Sequence, residues 1–290
     1  MMGHKSFIGV DIGTSQIKSA EVQINDQGFE ILSLQECPTP TGSDDEMILA
    51  LKKMIPGARQ VITCAGGGDV VCRIVRFPRL KEKELEAAVR YEVESFLSSP
   101  EKMIIRYVPL QPGQGQELLL LAVQKETVYR YYKIFSMAGL MLTAVDLPAF
   151  ALWRLFGRKT RDSRVIIDLG AKFTTIVLVN KGVIRLIRTL SAGGEDIENS
   201  AALSGTMELF KNALASEIRR SLIYYSNQEN VSVEKVILTG GTSKLAGISN
   251  YLQDVIDVPV ARGMISDLQR REIDPTFAVA VGLALREVIK

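Results

Sequence analysis

The sequence contains little histidine and cysteine, and this scarcity excludes several kinds of site. Of its 290 residues one is a histidine, His4, and three are cysteines, Cys37, Cys64 and Cys72. The cysteines show no metal-type spacing and form an odd set, so we expect reduced thiols of a cytosolic protein and no disulfide framework. His4 precedes the first predicted strand, which makes it a poor candidate for catalysis.

Long apolar runs and a large net charge are missing too. No stretch approaches the roughly 18 uninterrupted apolar residues of a membrane span, and we expect no signal peptide before the first predicted strand. The formal net charge of +2 gives no reason to expect nucleic acid as the main partner. The remaining composition, 47% hydrophobic and 23% charged, is that of an ordinary globular protein long enough for two domains.

The pattern that opens the chain returns near its middle. Residues 7–22, FIGVDIGTSQIKSAEV, combine two β-prone stretches with an Asp-Ile-Gly turn between them. Residues 157–164, GRKTRDSR, are predicted to be a solvated interdomain linker. The stretch RVIIDLG (164–170), followed by TTIVLV, then repeats the strand, the Asp-x-Gly turn and the second strand. The sequence therefore predicts an internal duplication.

A compact unit is predicted to lie between the two halves. Pro78 interrupts the first pattern, and Leu85, Val89 and Val93 then follow a helical period. The prediction is a β-α-β-β-α insertion over residues 70–137, with a strand at 70–77, a helix at 82–97, strands near 103–110 and 117–124, and a helix at 126–138.

The second half carries a further glycine turn. GGEDIENSAA predicts a helix that starts at a Gly-Gly turn, and a long helix follows from about 207 to 226. The strand VEKVILTGG then ends in Thr239-Gly240-Gly241 before another helix, which is a backbone surface suited to phosphates or a nucleoside. A terminal helix is predicted around 276–289.

The two Asp-x-Gly turns have a chemical use beyond reversing the chain. Glycine lets backbone amides approach a phosphate. Asp11 and Asp168 would repel a bare phosphate, but they suit one that is bridged by Mg²⁺ with retained waters. Thr14 and Ser15 add hydroxyl donors, and Lys18 adds a positive charge. Each turn alone is common in hairpins, whereas the two turns together with the later glycine turn indicate a nucleotide site.

These motifs resemble those of the actin-like ATPase superfamily, which includes actin, Hsp70 chaperones and sugar kinases. FIGVDIGTSQIK is similar to its phosphate-1 motif, IIDLGAKFTTIVLV to phosphate-2 and VILTGGTSKLAGI to the adenosine motif. AGLMLTAVDLPAFAL resembles the first connecting helix, and PTFAVAVGLALREV resembles the second. Within the superfamily the chain is most similar to the PilM family, with FtsA next, through RIVRFPRLKEKELEAAVRYEVESFL, LSAGGEDIENSAA and EIRRSLIYYSNQ.

The resemblance implies an α/β actin-like ATPase fold, made of duplicated RNase H-like domains with an inserted 1C (SHS2-like) subdomain and a reduced 2B subdomain. Only about 201–206 separate the Gly-Gly-Glu-Asp helix from the long helix, where the family has much of 2B over the adenine, so we expect weakened nucleotide binding. The implied boundaries are 1–69, 138–160 and 270–290 for subdomain 1A, 70–137 for 1C, 161–200 and 231–269 for 2A, and 201–230 for 2B.

The resemblance also implies which residues bind ATP and Mg²⁺. Asp11 and Asp168 would hold Mg²⁺ through water, from opposite sides of a cleft. The positions implied to contact the nucleotide further include Gly13, Thr14, Ser15, Lys18, Gly170, Thr174, Thr175, Gly240, Gly241 and Ser243.

Two positions allow more than one interpretation. Asp146 stands where the superfamily places the water-orienting residue of its first connecting helix, which makes it the catalytic candidate. It is equally a candidate N-cap for a helix that starts at Pro148. Lys172 occupies a position of the phosphate-2 turn where PilM sequences usually have small or hydroxyl residues, and we expect it to point to water.

The implied function is that of a cytoplasmic nucleotide-binding scaffold of type IV pilus biogenesis, at most a slow ATPase. It would be recruited to the inner face of the cytoplasmic membrane by the cytoplasmic N-terminal tail of a PilN-like bitopic membrane protein, docked between subdomains 1A and 1C. Pilus assembly ATPases would be indirect partners. We expect neither nucleic acid nor direct membrane insertion, and self-association stays open.

Three alternatives remain at this point. An FtsA-like cell-division protein would have an amphipathic membrane-targeting helix after the last connecting helix, and a type II secretion platform would have a membrane span. The sequence shows neither feature. An actin-fold small-molecule kinase would need a general base beside a substrate cleft, and no histidine is available for that role.

Overall fold

The structure, a computed structural model, describes residues 5–113, 115–195, 204–229 and 232–287. Its first large sheet is made of β1 (Lys5–Ile12), β2 (Gln16–Asn25), β3 (Gly28–Pro38), β4 (Gln60–Cys64) and β8 (Met141–Asp146). The strand order is β3-β2-β1-β4-β8, with β1 antiparallel to β2 and parallel to β4. The sheet is therefore mixed: β1, β2 and β3 pair antiparallel, whereas β1, β4 and β8 pair parallel.

The second large sheet repeats this arrangement. It is made of β9 (Ser163–Leu169), β10 (Thr174–Asn180), β11 (Val183–Leu190), β12 (Lys235–Thr239) and β13 (Val260–Arg262). The order is β11-β10-β9-β12-β13, with β9 antiparallel to β10 and parallel to β12. The predicted internal duplication is therefore confirmed.

The predicted insertion forms a separate small sheet. Its strands β5 (Val70–Phe77), β6 (Met103–Gly113) and β7 (Gly115–Gln124) pair in the order β5-β7-β6. The helix α2 (Glu82–Phe96) covers one face, because the predicted apolar stripe of Leu85, Val89 and Val93 packs on Val75 and Leu118.

Four further helices cover the outer faces of the two large sheets. These are α1 (Asp44–Met54), α3 (Lys125–Met137), α5 (Ser204–Glu229) and α6 (Ile248–Ile256). The sequence-based boundary placed α3 in the insertion, but its buried residues Ile134 and Phe135 pack with Met47 and Leu51 of α1. This helix therefore contributes to the core of the first domain. The division into subdomains remains a prediction.

Two helices join the halves, α4 (Pro148–Phe156) and α7 (Ala278–Ala284). Both lie in the apolar cluster shared by the two large sheets. They approach so closely that a Cβ added to Gly282 would overlap the backbone oxygen of Ala151. This contact packs the two connecting helices directly against each other.

Several predicted boundaries need correction. The stretch AGLMLTAVDLPAFAL is not helical throughout, since its first part forms β8 and the helix begins only at Pro148. Proline keeps the residue before it extended and is well suited to the first helical position. The predicted terminal helix is α7, flanked by 3-10 turns at Pro275–Phe277 and Leu285–Glu287, and its end at 289 lies outside the described residues.

The predicted 2B segment is seen only in part. Positions 201–203 and 230 lie outside the described residues, as do 196–202 of the helix predicted from GGEDIENSAA. The described remainder of 201–230 is the single helix α5. The strands β14 (Ile265–Ser266) and β15 (Glu272–Ile273) form a small hairpin. In the part of the chain that is described, we find no helix with the length and apolar character needed to cross a bilayer.

Candidate functional site

A cavity of about 800 Å³ opens between the two domains, at the turns that follow β1 and β9. Its walls combine both Asp-x-Gly turns, the Gly66-Gly67 loop after β4 and the glycine turn after β12. Loops from both halves thus converge on one cleft, as expected where parallel strands end at the same edge of a sheet.

The first turn is closed by its glycine. The backbone N–H of Gly13 donates to the carbonyl of Gln16 at 3.0 Å, and a Cβ on Gly13 would lie 2.8 Å from that oxygen. The Thr39 hydroxyl donates to the Gly13 carbonyl at 2.7 Å. Asp11 at the start of the turn faces Lys18 in the strand register. The turn therefore presents a carboxylate and an ammonium side by side.

The second turn has the same geometry. The backbone N–H of Gly170 donates to the Phe173 carbonyl at 3.0 Å, and a Cβ on Gly170 would lie 2.7 Å from that oxygen. Gly194 donates its N–H to the Gly170 carbonyl at 3.0 Å, and the Thr242 hydroxyl donates to the same carbonyl at 2.9 Å. The Gly-Gly-Glu-Asp turn and the glycine turn after β12 therefore both support this loop.

The carboxylates of Asp11 and Asp168 interact electrostatically. Burial, followed by the charge of Asp168, raises the pKa of Asp11 to about 7, against the opposing charge of Lys18. Burial also raises the pKa of Asp168, against a hydrogen bond from Thr239 and the charge of Lys18. The cleft thus makes the ionised form of both groups unfavourable, and a bound cation would relieve this cost.

The glycine turn after β12 lies directly against Asp168. Gly240 has a φ of 84°, and a Cβ there would overlap the carbonyl oxygen of Leu169 and lie 2.8 Å from Oδ1 of Asp168. The Thr239 hydroxyl donates to that same Oδ1 at 2.9 Å. At Gly241 an added Cβ would meet no atom within 4 Å, so this glycine faces open space.

The structure brings most of the predicted site residues together. Thr174 does not line the cleft, since its hydroxyl is buried and donates to the Ala192 carbonyl at 2.7 Å. Ser243 is buried as well and donates to the Gly240 carbonyl at 2.6 Å. The predicted residues that line the cleft are Asp11, Gly13, Thr14, Ser15, Lys18, Asp168, Gly170, Thr175, Gly240 and Gly241.

Asp146 is placed differently from the prediction. It ends β8 and does not line the cleft, and the N-cap of α4 is Leu147, so the alternative as N-cap is wrong. Its Oδ1 accepts the Leu147 N–H at 2.8 Å, and its Oδ2 lies 2.7 Å from Nη1 of Arg154 and 3.5 Å from Nε of Arg286. The Asp146 and Arg154 side chains are both buried, so this carboxylate ties the end of β8 to α4 and to the 3-10 turn after α7.

Sequence reasoning missed several cleft residues. Gly66 and Gly67 belong to a glycine run that was visible in the sequence, whereas Tyr131 reaches the cleft only because α3 packs on the first sheet. Lys172 is exposed, as expected, but it lines the cleft beside Phe173.

The residues fit a divalent cation that keeps most of its waters. Mg²⁺ is commonly held by one or two carboxylates together with substrate phosphates, and the paired Asp11 and Asp168 meet this need. Within the described ranges there is no cluster of three or more His, Cys, Asp or Glu side chains that could enclose a metal. The donor set therefore suits a cation that arrives with an anionic ligand.

The sequence and the fold of this chain are similar to those of known proteins. A protein-family model described as type IV pilus assembly protein PilM matches residues 9–204 and 203–288. A solved PilM-PilN type IV pilus biogenesis complex contains a chain similar to this one, with 25% identity and a TM-score of 0.87. The alignment covers 99% of this chain and 100% of that chain.

Two more distant structures share the fold. The ethanolamine utilization protein EutJ from Carboxydothermus hydrogenoformans is 15% identical with a TM-score of 0.59, and the alignment covers 97% of this chain and 89% of that one. The cytoplasmic domain of EpsL, an inner membrane component of the type II secretion system of Vibrio cholerae, is 9% identical with a TM-score of 0.56. That alignment covers 97% and 95% of the two chains. Both matches concern the fold alone.

Proposed function

Because the chain belongs to the PilM family of type IV pilus assembly proteins, we propose that it is a nucleotide-binding scaffold of type IV pilus biogenesis. It docks the cytoplasmic N-terminal tail of a PilN-like inner-membrane protein and works on the cytoplasmic side of that membrane. The match to PilM in complex with PilN supports this assignment, and so does the family match over both halves of the chain.

The ligand of the cleft is ATP with Mg²⁺. Asp11 and Asp168 would hold the cation through water, and Mg²⁺, when bound, would supply positive charge to the phosphates. Thr14, Ser15 and Lys18 contact the phosphates from the first domain. Gly170 and Thr175 do so from the second, and Gly240 and Gly241 approach the nucleoside. The single observation that carries this proposal is the pair of facing Asp-x-Gly turns, whose carboxylates share one cavity.

The scaffold turns ATP over slowly or not at all. A general base must reach the attacking water within hydrogen-bond distance, and Asp146, the candidate for that role, is engaged by Arg154 outside the cleft. Breaking a buried ion pair of this kind is costly. Binding of nucleotide, more than hydrolysis, is therefore the use of the cleft.

The reduced 2B subdomain limits affinity. The family model matches residues 9–204 and 203–288, two segments that overlap within the interval 201–206 that the sequence predicts to be shortened. With less apolar cover over the adenine, each 100 Å² of lost contact weakens binding by about 2.5 kcal/mol at the usual area coefficient. We expect ATP affinity well below that of a complete actin-like cleft.

The membrane partner docks at the inserted subdomain. An extended tail can add to a sheet edge, and β6 is an edge strand of the inserted sheet with Tyr107 and Val108 partly exposed. A fluorescent peptide of the partner's N-terminal tail should bind saturably, as followed by anisotropy with and without Mg²⁺ and ATP. Linear, unsaturated binding in both conditions would contradict the docking proposal.

Calorimetric titration tests the nucleotide proposal separately. ATP should bind in the presence of Mg²⁺ and much more weakly with a chelator. Heat of binding that is the same with and without Mg²⁺ would contradict the roles of Asp11 and Asp168.

A further inference from the structure

Three lysines line the cleft, and they differ in the negatively charged groups that lie near their ammonium groups. Lys18 acts on both cleft carboxylates, since its charge lowers the pKa of Asp11 and of Asp168. Lys244 forms an ion pair with Asp274. For Lys172 no carboxylate lies within ion-pair distance among the residues that the structure describes. Its Nζ lies 5.7 Å from the centroid of the Phe173 ring.

The Phe173 ring is held from both sides of the cleft. It belongs to the second Asp-x-Gly turn, and it lies against Gly67 of the first domain, where an added Cβ would be 2.9 Å from Cε2 of the ring. Gly67 has a φ of 66°, a conformation that favours glycine. The ring is thus a fixed support for the ammonium, because a cation within about 6 Å of an aromatic face is attracted to it.

The position of Lys172 in its turn indicates where its charge is directed. The matching hydrogen bonds from Gly13 to Gln16 and from Gly170 to Phe173 align the two turns residue by residue. Lys172 therefore corresponds to Ser15, which has a neutral hydroxyl. Both positions follow the carboxylates that mark the metal end of the cleft, where the terminal phosphates of a bound nucleotide would lie.

We infer that Lys172, supported by the Phe173 ring, binds the terminal phosphate of the nucleotide and makes the cleft selective for the triphosphate over the diphosphate. This inference rests on the proposed binding of ATP with Mg²⁺. The ammonium keeps its contact with the ring and adds a charge-assisted hydrogen bond to a phosphate oxygen.

The test compares the affinities of ATP and ADP, each with Mg²⁺, for four proteins by calorimetry. Lys172→Ala should weaken ATP binding about tenfold and ADP binding less than about twofold, the size of one lost charge-assisted bond. Lys172→Arg should keep most of the preference for ATP. Lys159→Ala, which removes an exposed lysine outside the cleft, is the matched control and should behave like the unaltered protein.

Phe173→Leu provides a second test, in which the affinities for ATP and ADP are compared while the charge of Lys172 is kept. It keeps an apolar contact with Gly67 but loses the aromatic face, so the preference for ATP should fall by about threefold. An unchanged ratio of ATP to ADP affinity in Lys172→Ala would overturn the inference while leaving nucleotide binding intact. If the unaltered protein bound neither nucleotide, the proposed ligand of the cleft would fail, and the inference with it.

Discussion

The two Asp-x-Gly turns share one backbone geometry and differ in what surrounds their carboxylates. In both, a glycine N–H closes the turn on a carbonyl three residues later at 3.0 Å. Around the first turn the carboxylate of Asp11 accepts a long contact from the Cys64 thiol, at 3.9 Å. Around the second, Asp168 accepts the Thr239 hydroxyl at 2.9 Å.

The backbone and the side chains of the two turns contribute differently to the cleft. The glycines and the hairpin registers set the turn, and they do so equally on both sides. The side chains set the chemistry, with hydroxyls and Lys18 on the first side, and Lys172 with an aromatic ring on the second. An internal duplication can therefore preserve a backbone while its two copies take different roles at one ligand.

The largest expected effect comes from removing either carboxylate. Asp11→Ala and Asp168→Ala should each weaken Mg²⁺-dependent ATP binding by about a hundredfold, because each removes half of the cation's protein contacts. Calorimetry measures this, and circular dichroism checks that each variant is folded. A variant that bound as well as the parent would show that the two turns do not share one cation.

The glycine turn behind Asp168 should be the next most sensitive point. Gly240→Ala places a Cβ where it overlaps the Leu169 carbonyl and forces a positive φ on alanine. We expect it to lower the free energy of unfolding by about 2–4 kcal/mol. Gly241→Ala is the matched control, since its Cβ meets open space, and it should change stability by less than about 0.5 kcal/mol. Denaturant unfolding measures the free energy of unfolding of both variants, and equal losses in the two would contradict this prediction.

The supports of the two carboxylates should differ in strength. Thr239→Val removes the 2.9 Å hydrogen bond to Asp168 and should weaken ATP binding about tenfold. Cys64→Ala removes a long thiol contact and should cost less than about twofold. Calorimetric titrations of both variants in one buffer give the ratio of their ATP affinities. A greater loss of affinity in Cys64→Ala than in Thr239→Val would contradict the prediction.

A further expected effect is a dependence of stability on pH. The pKa of Asp11 rises from 3.8 to about 7 on folding, so the folded protein holds this proton more tightly than the unfolded chain does. The contribution to stability is therefore greatest below about pH 4 and is lost as the pH rises towards 7. Without Mg²⁺, Asp11→Asn should melt a few degrees above the parent near pH 8.

The same melting experiment contains its own control. Added Mg²⁺ and ATP should stabilise the parent near pH 8 and stabilise Asp11→Asn much less, since the variant lacks one of the two charges that hold the cation. If the parent and Asp11→Asn showed the same pH dependence, Asp11 would not be the group whose pKa is raised.

The sequence predicted the parts of the site that depend on local pattern. Asp11, Gly13, Asp168 and Gly170 follow from two short hairpins, whose alternation and turn residues are visible in a few residues each. Strand alternation also explains one miss, because Thr174 and Thr175 point to opposite sides of β10 and only Thr175 reaches the cleft.

The remaining parts depend on contacts between distant segments. The Arg154 partner of Asp146 lies in the adjacent helix α4, but the Arg286 partner requires β8 to meet the 3-10 turn after α7, which no local pattern predicts. In the same way, the packing of Phe173 on Gly67 joins the two domains and could not be predicted from either turn alone.

The most direct test of the account is a crystal structure of the protein with Mn²⁺ and a non-hydrolysable ATP analogue, with the metal located by anomalous scattering. The account predicts one anomalous peak between Asp11 and Asp168, beside the terminal phosphates. A peak elsewhere, or a nucleotide bound without metal between these carboxylates, would contradict it.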